Sequence, residues 1–378
     1  MRATRLCGPA ATAATVALVV LGGAAAASRA SAVARPRGQV PHWHVVDAIP
    51  DTATATYDLF AVTAPGPRDG WAFGRESSSN GQGLQFSAVL RHWDGHSWRP
   101  ALLPARVAAR WNAVAPVQAG SSSARNVWVF PLGAWARWNG ERWHAGPLPL
   151  PRGYVGSVRI TGTDVLSRSD VWVVGNLTVA SIIPYVAHFN GRRWSFRLLR
   201  SPDTMVAVSG SGPDNVWIAG NSGTNLLRRW DGRRWRPVPM PAGLAGPTTF
   251  GGLVVQSPDS AWITGLVPGA AGPSAVGGAW HWNGRRWRLY RLAASCALSP
   301  AAPDGHGGLW AGFAYPCAHA RLWHRAHGRW TSTAMPDDGP YAYLNQLTAV
   351  PGTAAMLAAG AAYAPTLSAV VLQDGHLP

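Results

Sequence analysis

Short apolar runs alternate with polar turns along most of this chain, and one unit shows the pattern most clearly. Residues 216–219 are apolar, and residues 226–230 read Leu-Leu-Arg-Arg-Trp. This second run leads into Asp231-Gly232, followed by Trp235 and then Pro241. Runs of this length separated by turn residues predict antiparallel strands. The Asp-Gly pair between the last two strands favours a type I′ turn, in which both central residues have positive φ.

The unit repeats along the chain as two half-motifs. The first is Asp or Asn, then Trp two or three residues later, then usually Gly; the second is an aromatic residue, Asp/Asn-Gly, then Trp. The tryptophans of the first half-motif, Trp128, Trp172, Trp217 and Trp262, lie 44, 45 and 45 residues apart. A regular period of this size with four short strands in each unit is typical of propeller blades.

The two ends of the chain predict that the ring closes on itself. Residues 344–375 supply the first three strands of a unit, A, B and C, and no fourth strand follows. Residues 43–50 have the Trp-to-Pro spacing of a fourth strand, D, with no A, B or C before them. Pairing the two segments removes an open sheet edge. The predicted fold is therefore all-β: a seven-bladed β-propeller of four-stranded antiparallel blades, closed by its N-terminal strand.

The repeats also divide the chain. We predict a signal peptide over residues 1–32, a linker over 33–40 and the propeller over 41–378. The predicted blades cover about 57–104, 105–151, 152–202, 203–241, 242–292, 293–336, and 337–378 together with 41–50.

Two copies of the repeat carry a resemblance to a known group of proteins. Residues 170–175 read Asp-Val-Trp-Val-Val-Gly, and residues 281–287 contain His-Trp-Asn-Gly followed by Trp. These units resemble those of secreted Trp-rich repeat proteins of actinobacteria, which are grouped loosely with kelch or galactose-oxidase-like propellers. The resemblance implies the fold and transfers no catalytic residue, because strand B has no kelch Gly-Gly doublet, and the WD40-type Gly-His…Trp-Asp pairing and the sialidase Asp-box are missing.

The N-terminus resembles an export signal. Arg2 and Arg5 precede an Ala-rich apolar run over residues 9–27, and Ala30-Ser31-Ala32 is a small-x-small cleavage site. The run is shorter than the ~20 strongly apolar residues of a membrane span. We expect cleavage after Ala32 and no transmembrane span thereafter; the alternative is an uncleaved membrane anchor. The expected location is secreted or extracellular, with association to the cell wall as an option.

Two cysteines, Cys296 and Cys317, follow the predicted signal. In an oxidising compartment they favour one disulfide, which closes a loop of about 22 residues and stabilises the fold by ~3 kcal/mol. The alternative is a pair of buried free thiols. The 12 histidines show no spacing typical of metal ligands, so we expect neither a metal nor another cofactor.

The charge is strongly positive. All 33 basic residues are arginine, and 17 acidic residues leave a formal net charge of +16. An exported protein of this kind is expected to associate loosely with acidic polymers. We do not expect nucleic acid as a partner, because the arginines recur inside repeat turns instead of forming one stripe. A monomer is expected.

The candidate site comes from the connections that vary between blades. The 21 tryptophans could stack on sugars, but their regular positions favour packing between sheets. The B–C and D–A connections share one face of a propeller and vary in length. They also contain most of the acidic residues that are not part of the tight turns. The candidate ligand-binding residues on that face are Glu76, Asp337, Asp338, Tyr341 and Tyr343.

Two functions are consistent with these residues. The first is a non-enzymatic exported propeller that binds a protein or glycan at the cell envelope through the variable face. The alternative is a secreted hydrolase or lyase that acts on polysaccharide through acids of that face. Two carboxylates within ~5–10 Å of each other across a concave pocket would favour the hydrolase.

Overall fold

The computed structural model describes residues 42–79, 83–109, 116–154, 156–178, 181–244, 250–267, 276–294, 296–313, 321–335, 343–363 and 367–375. Contacts divide the chain into residues 1–31 and 32–378, and every described residue belongs to the second unit. That unit contains seven four-stranded antiparallel sheets arranged as the blades of a ring. The predicted signal peptide and linker lie outside the described residues.

The first four blades consist of consecutive strands in the order A, B, C, D. Blade 1 is β2 (Ala55–Gly66), β3 (Asp69–Ser79), β4 (Leu84–Trp93) and β5 (Trp98–Pro100), and blade 2 is β6 (Gln118–Ser123), β7 (Asn126–Phe130), β8 (Ala134–Trp138) and β9 (Trp143–Pro147). Blade 3 is β10 (Val158–Ser167), β11 (Asp170–Thr178), β12 (Ile182–Phe189) and β13 (Trp194–Leu198), and blade 4 is β14 (Thr204–Gly212), β15 (Asn215–Asn221), β16 (Leu226–Trp230) and β17 (Trp235–Pro237).

The last three blades follow the same order until the chain ends. Blade 5 is β18 (Phe250–Ser257), β19 (Ser260–Leu266), β20 (Gly277–Trp282) and β21 (Trp287–Leu292), and blade 6 is β22 (Ala301–Pro303), β23 (Leu309–Ala311), β24 (Arg321–Ala326) and β25 (Arg329–Ala334). Blade 7 is β26 (Tyr343–Ala349), β27 (Met356–Tyr363), β28 (Leu367–Asp374) and the N-terminal β1 (Trp43–Pro50). One short helix, α1 (Ala105–Ala108), lies between blades 1 and 2.

Ring closure by the N-terminal strand is confirmed. β1 pairs antiparallel with β28, so that Trp43 lies opposite Asp374 and Pro50 lies opposite Ser368. Without β1, the outer edge of β28 would be an open row of backbone donors and acceptors. The prediction succeeded because a sheet that lacks one strand at the C-terminus needs a strand of matching pattern from elsewhere in the chain.

Tryptophans join neighbouring blades in a regular way. The Trp of strand B packs edge-on against the Trp that begins strand D of the next blade: Trp71 on Trp143, Trp128 on Trp194, Trp172 on Trp235, Trp217 on Trp287, Trp262 on Trp330 and Trp310 on Trp43. Ring centroids in the last pair are 5.3 Å apart at 88°. At the seventh junction, Leu357 shares a core cluster with Trp98. These tryptophans therefore form the core between blades, as their regular spacing predicted.

The C–D turns differ from the expected type I′ geometry in five blades. In these turns Gly has positive φ, for example 85° at Gly232, but the preceding Asp or Asn does not. The Oδ1 atom of that residue instead accepts the backbone N–H groups two and three positions later, as Asp231 does for Arg233 and Arg234. The Asp or Asn side chain thus closes the C–D turn through hydrogen bonds to two backbone N–H groups. The blade 6 turn has positive φ at both His327 and Gly328.

Strand boundaries also depart from the sequence-based expectations. In blade 4, strand A extends over Thr204–Gly212, beyond the apolar residues at its centre, because its polar end residues continue the ladder with β15. Strand A of blade 2 begins only at Gln118.

Candidate functional site

The ring has two faces with different connections. The A–B and C–D turns form the lower face, and the B–C and D–A connections form the upper face. Two of the residues that the sequence singled out are described, Glu76 on β3 and Tyr343 on β26, and both lie towards the upper face. The side chains of the lower face contact one another within the blades, so the lower face is the weaker candidate for a ligand site.

A repeated stack fills the lower end of the blades. On strand C, a histidine lies opposite the strand B Trp and stacks on it with ring centroids 4.0–4.2 Å apart: His92 on Trp71, His188 on Trp172, His281 on Trp262 and His324 on Trp310. In three of these blades a carboxylate contacts the histidine Nε2, at 2.9 Å from Asp69, 2.8 Å from Asp170 and 3.0 Å from Asp304. The acids at the A–B turns of these three blades therefore contact histidine.

Two of these groups have shifted pKa values. Burial raises the pKa of Asp304, but hydrogen bonds from His324 and from two backbone N–H groups outweigh it and hold the pKa below the usual value. His281 faces Ser260 Oγ at 3.1 Å instead of a carboxylate. Burial, with smaller contributions from Arg325 and Arg288, lowers its pKa to about 4. These pairs stabilise blade ends and do not open to a shared cleft.

The arginine pairs of the C–D turns lie on the rim of the lower face. Arg192, Arg193, Arg233, Arg234, Arg285 and Arg286 are all exposed. Their backbone N–H groups bind the turn Asp or Asn, which fixes the turns and leaves the guanidinium groups at the surface. Binding of an acidic polymer to this rim stays a prediction.

A central channel of about 590 Å³ runs between the strands A of the blades. Among its lining residues in the described chain, Asp164 is the only one with an ionisable side chain. Its Oδ2 accepts the N–H of Gly210 from the next blade at 2.6 Å. The Asp164 side chain is partly exposed to the channel and otherwise surrounded by protein. This burial raises its pKa to about 7. The sequence-based candidates did not include Asp164, because the repeat pattern does not distinguish it from the other residues of strand A, which borders the channel along its length.

On the upper face, Asp58 is the centre of a cluster between blades 7 and 1. Arg75 Nη2 donates to Asp58 Oδ2 at 3.0 Å, and Tyr343 Oη donates to Oδ1 at 2.7 Å. The Arg75 guanidinium also lies over Phe60 and Phe86, 5.2 and 4.9 Å from the ring centroids. Tyr343, a predicted site residue, therefore contacts the Asp58 carboxylate, and each oxygen of that carboxylate accepts a hydrogen bond.

Glu76 lies on the same strand as Arg75 but takes no part in the Asp58 cluster. It pairs in register with Tyr57 on one side and Ser87 on the other. Burial raises the pKa of Tyr57, and the negative charges of Glu76 and Asp51 add to the shift. Asp51 in turn accepts the backbone N–H of Tyr57 at 2.8 Å.

Among the described residues, the other acids of the upper face do not form a pair of carboxylates suited to catalysis. Asp203 is fully buried and accepts hydrogen bonds from Ser201, Gly223, Thr224 and Asn225, which shape the B–C loop of blade 4. The predicted site residues Asp337, Asp338 and Tyr341 lie outside the described residues, so the hydrolase alternative stays a prediction. Among the described residues there is no group of three or more His, Cys, Asp or Glu that could hold a metal ion.

The B–C hairpin of blade 1 sets this blade apart. Its strands β3 and β4 have 11 and 10 residues, whereas strand C has 5 to 8 residues in the other blades. The end of the hairpin carries Leu84, which is 60% exposed, and the nearby D–A connection carries Leu102, which is 90% exposed. An apolar cavity of about 350 Å³ lies between Ala88 and Leu90 on β4 and residues 101–109. These apolar surfaces can bind a partner without catalysis.

Cys296 is buried in the core around blades 6 and 7. Cys317 lies outside the described residues, and the disulfide stays a prediction. Within the described part of the chain, no helix is both long and apolar enough to cross a membrane.

Comparison with known proteins identifies the fold. No protein-family model matches this chain, and no curated protein matches it in sequence. Among solved structures, YCF48 bound to a D1 peptide is similar with a TM-score of 0.54 and 14% identity, over 88% of this chain and 96% of that one. The β-propeller domain of the trilobed protease from Pyrococcus furiosus gives 0.56 and 7%, over 86% and 97%.

A hydrolase is also among the similar structures. The GH74 xyloglucanase from Xanthomonas campestris gives a TM-score of 0.53 and 14% identity, over 84% of this chain and 52% of that one. At these identities the similarity shows a β-propeller and nothing about chemistry, because one fold serves many functions. The chain spans about half the length of the xyloglucanase.

Proposed function

We propose that this protein is an exported, non-enzymatic β-propeller that binds a partner at the cell envelope through its upper face. The observation that supports it best is the blade 1 hairpin, which extends a sheet beyond the others and carries exposed apolar side chains. Exposed apolar surface next to a cavity is typical of interaction sites. The described acids Asp58, Asp51 and Asp203 are held by hydrogen bonds, which favours binding over hydrolysis.

The partner class in this proposal is a protein or a glycan. YCF48, which is similar in fold, has been solved with a D1 peptide bound, and this example supports a protein partner for a propeller of this size. Export rests on the N-terminal sequence alone. An envelope rich in anionic polymers would also attract the net charge of +16.

Photo-crosslinking in intact envelope preparations tests the proposal. A benzophenone amino acid placed at Leu84 or Leu102 should crosslink one dominant partner, while the same probe at Arg193 on the lower rim should not. A glycan array probed with the wild-type protein and with Leu84→Ser/Leu102→Ser tests the glycan class. Equal crosslinking from Arg193, or unchanged glycan binding by the double variant, would contradict a site on the upper face.

A further inference from the structure

Blade 1 contains an open sheet edge. β5 pairs only with residues 91–93 of β4, and one further hydrogen bond joins Ala101 N to Leu90 O. Residues 84–89 of β4 pair with β3 on one side only. Because backbone groups alternate along a strand, Phe86 and Ala88 direct their N–H and C=O groups away from β3. Among the described residues, no hydrogen bond to these groups is formed on the outer side.

This edge lacks the features that normally protect one. Exposed edge strands are usually blunted by charges, proline or bulges, yet residues 84–89 read Leu-Gln-Phe-Ser-Ala-Val. The pairing of β3 with β4 is also regular throughout, with no bulge. Blade 3 has a much shorter open edge, residues 182–183, and there Pro184 follows at once. In the other blades, strand D or a following hydrogen bond covers strand C to within one residue of its end.

A side-chain cavity lies beside this edge. The cavity of about 350 Å³ is lined by Ser87, Ala88 and Leu90 of β4 and by residues between 101 and 109 that are alanine and leucine, so most of its lining side chains are apolar. It is on the same side of β4 as Phe86 and the Arg75 guanidinium. A strand laid along β4 would therefore direct alternate side chains towards Phe86 and the cavity, and the intervening ones towards the opposite face of the sheet.

We propose that the edge over residues 84–89 binds an extended, acidic peptide segment of a partner protein as a fifth strand of blade 1. This inference rests on the proposed function and names its partner class. Strand addition supplies affinity through main-chain hydrogen bonds and specificity through pockets for alternate side chains. The peptide has apolar residues at alternate positions, with a branched aliphatic one over the cavity.

Charge selects this occupant over a second copy of the chain. Two copies with a formal net charge of +16 each repel one another, whereas an acidic segment is attracted. The occupant is therefore a segment from another protein.

The probe is a panel of synthetic peptides in which valine and threonine alternate around a central leucine, flanked by two glutamates or by two arginines. Fluorescence anisotropy of labelled peptides should show binding of the glutamate-flanked peptide, at least tenfold tighter than the arginine-flanked one. N-methylation of the backbone amides on one edge of the peptide should abolish binding, and methylation on the other edge should not.

Ala88→Pro is the decisive protein variant. It removes an N–H that faces away from β3, so that the β3–β4 ladder keeps its hydrogen bonds, as is tolerated on an edge. Binding should weaken at least tenfold with an unchanged thermal unfolding midpoint. Ser87→Lys, which adds a charge but removes no outward N–H, and Leu198→Ser on blade 3 are folded controls, and Leu198→Ser should bind normally.

Three results would overturn the inference. They are the absence of binding by every peptide in the panel, undiminished binding by Ala88→Pro, and equal loss on methylation of either peptide edge. If the peptide panel fails while the upper-face crosslinks persist, the proposed function stands and strand addition is wrong. If Ala88→Pro unfolds, N-methylation of the peptide alone decides, because it leaves the protein unaltered.

Discussion

The lower and upper ends of the blades follow opposite rules. At the lower end, histidine or arginine, tryptophan and a turn residue recur from blade to blade, and at every junction but one the strand B Trp meets the Trp of the next strand D. At the upper end the blades differ, and blade 1 alone has a hairpin of 11 and 10 residues with exposed leucine. Repetition therefore marks the parts that hold the ring together, and departure from it marks the surface available for a partner.

The largest expected effect concerns ring closure at the lower end. Trp43→Ala should lower the free energy of unfolding by about 3–5 kcal/mol, as should Trp143→Ala inside the chain, because both remove a buried indole between blades. Deleting residues 41–50 should prevent folding. Chemical denaturation followed by tryptophan fluorescence measures these losses. A Trp43→Ala variant as stable as wild type would mean that the closing strand adds little to the ring.

A smaller loss is expected at the junction of blades 7 and 1 on the upper face. Asp58→Ala removes the acceptor of both Arg75 and Tyr343 in a partly buried site and should cost about 1–3 kcal/mol, the usual range for hydrogen bonds to a charged group. Tyr343→Phe removes one donor and should cost about 1 kcal/mol. Thermal and urea unfolding test both. Equal losses for the two variants would show that Arg75 gains nothing from the carboxylate.

Acid sensitivity distinguishes one lower-end stack from the others. Folding lowers the pKa of His281 to about 4 from its ordinary value of 6.5, so between these values the unfolded chain binds a proton that the folded protein does not. Stability should therefore fall as pH drops from about 6.5 to about 4. His281→Gln should flatten this part of the pH–stability curve measured by urea unfolding.

The matched control for that experiment is His188→Gln. It removes the same kind of stack on a tryptophan, but its histidine faces the Asp170 carboxylate instead of a hydroxyl. If both variants change the slope equally, the effect belongs to stacking and not to the missing carboxylate in blade 5.

The smallest effect is expected on the lower rim. Arg285→Ser/Arg286→Ser removes two exposed guanidinium groups and keeps the turn, because the backbone N–H groups still bind Asn283. Stability should change by less than ~0.5 kcal/mol, as for most surface substitutions. Retention on an anionic polymer column should decrease in proportion to the charge removed. A large loss of stability would show that the rim supports the fold.

The repeat pattern by itself determined the architecture of the ring. The spacing of the half-motifs determined the blade number, and the Trp-to-Pro spacing of residues 43–50 determined how the ring closes. Identical units must bury the same residues at each junction, so a period in sequence becomes a period in space. The role of the tryptophans followed from that symmetry for the same reason.

Only the tertiary structure decided what lies between units. The Asp58–Tyr343 contact joins residues 285 positions apart in the chain, and the stacking of histidine on tryptophan depends on the register of strands B and C. The open edge of β4 exists because β5 leaves the sheet after three residues, and no local pattern indicates where a partner strand stops. Local spacing specifies elements, whereas contacts across sheets depend on how those elements are brought together.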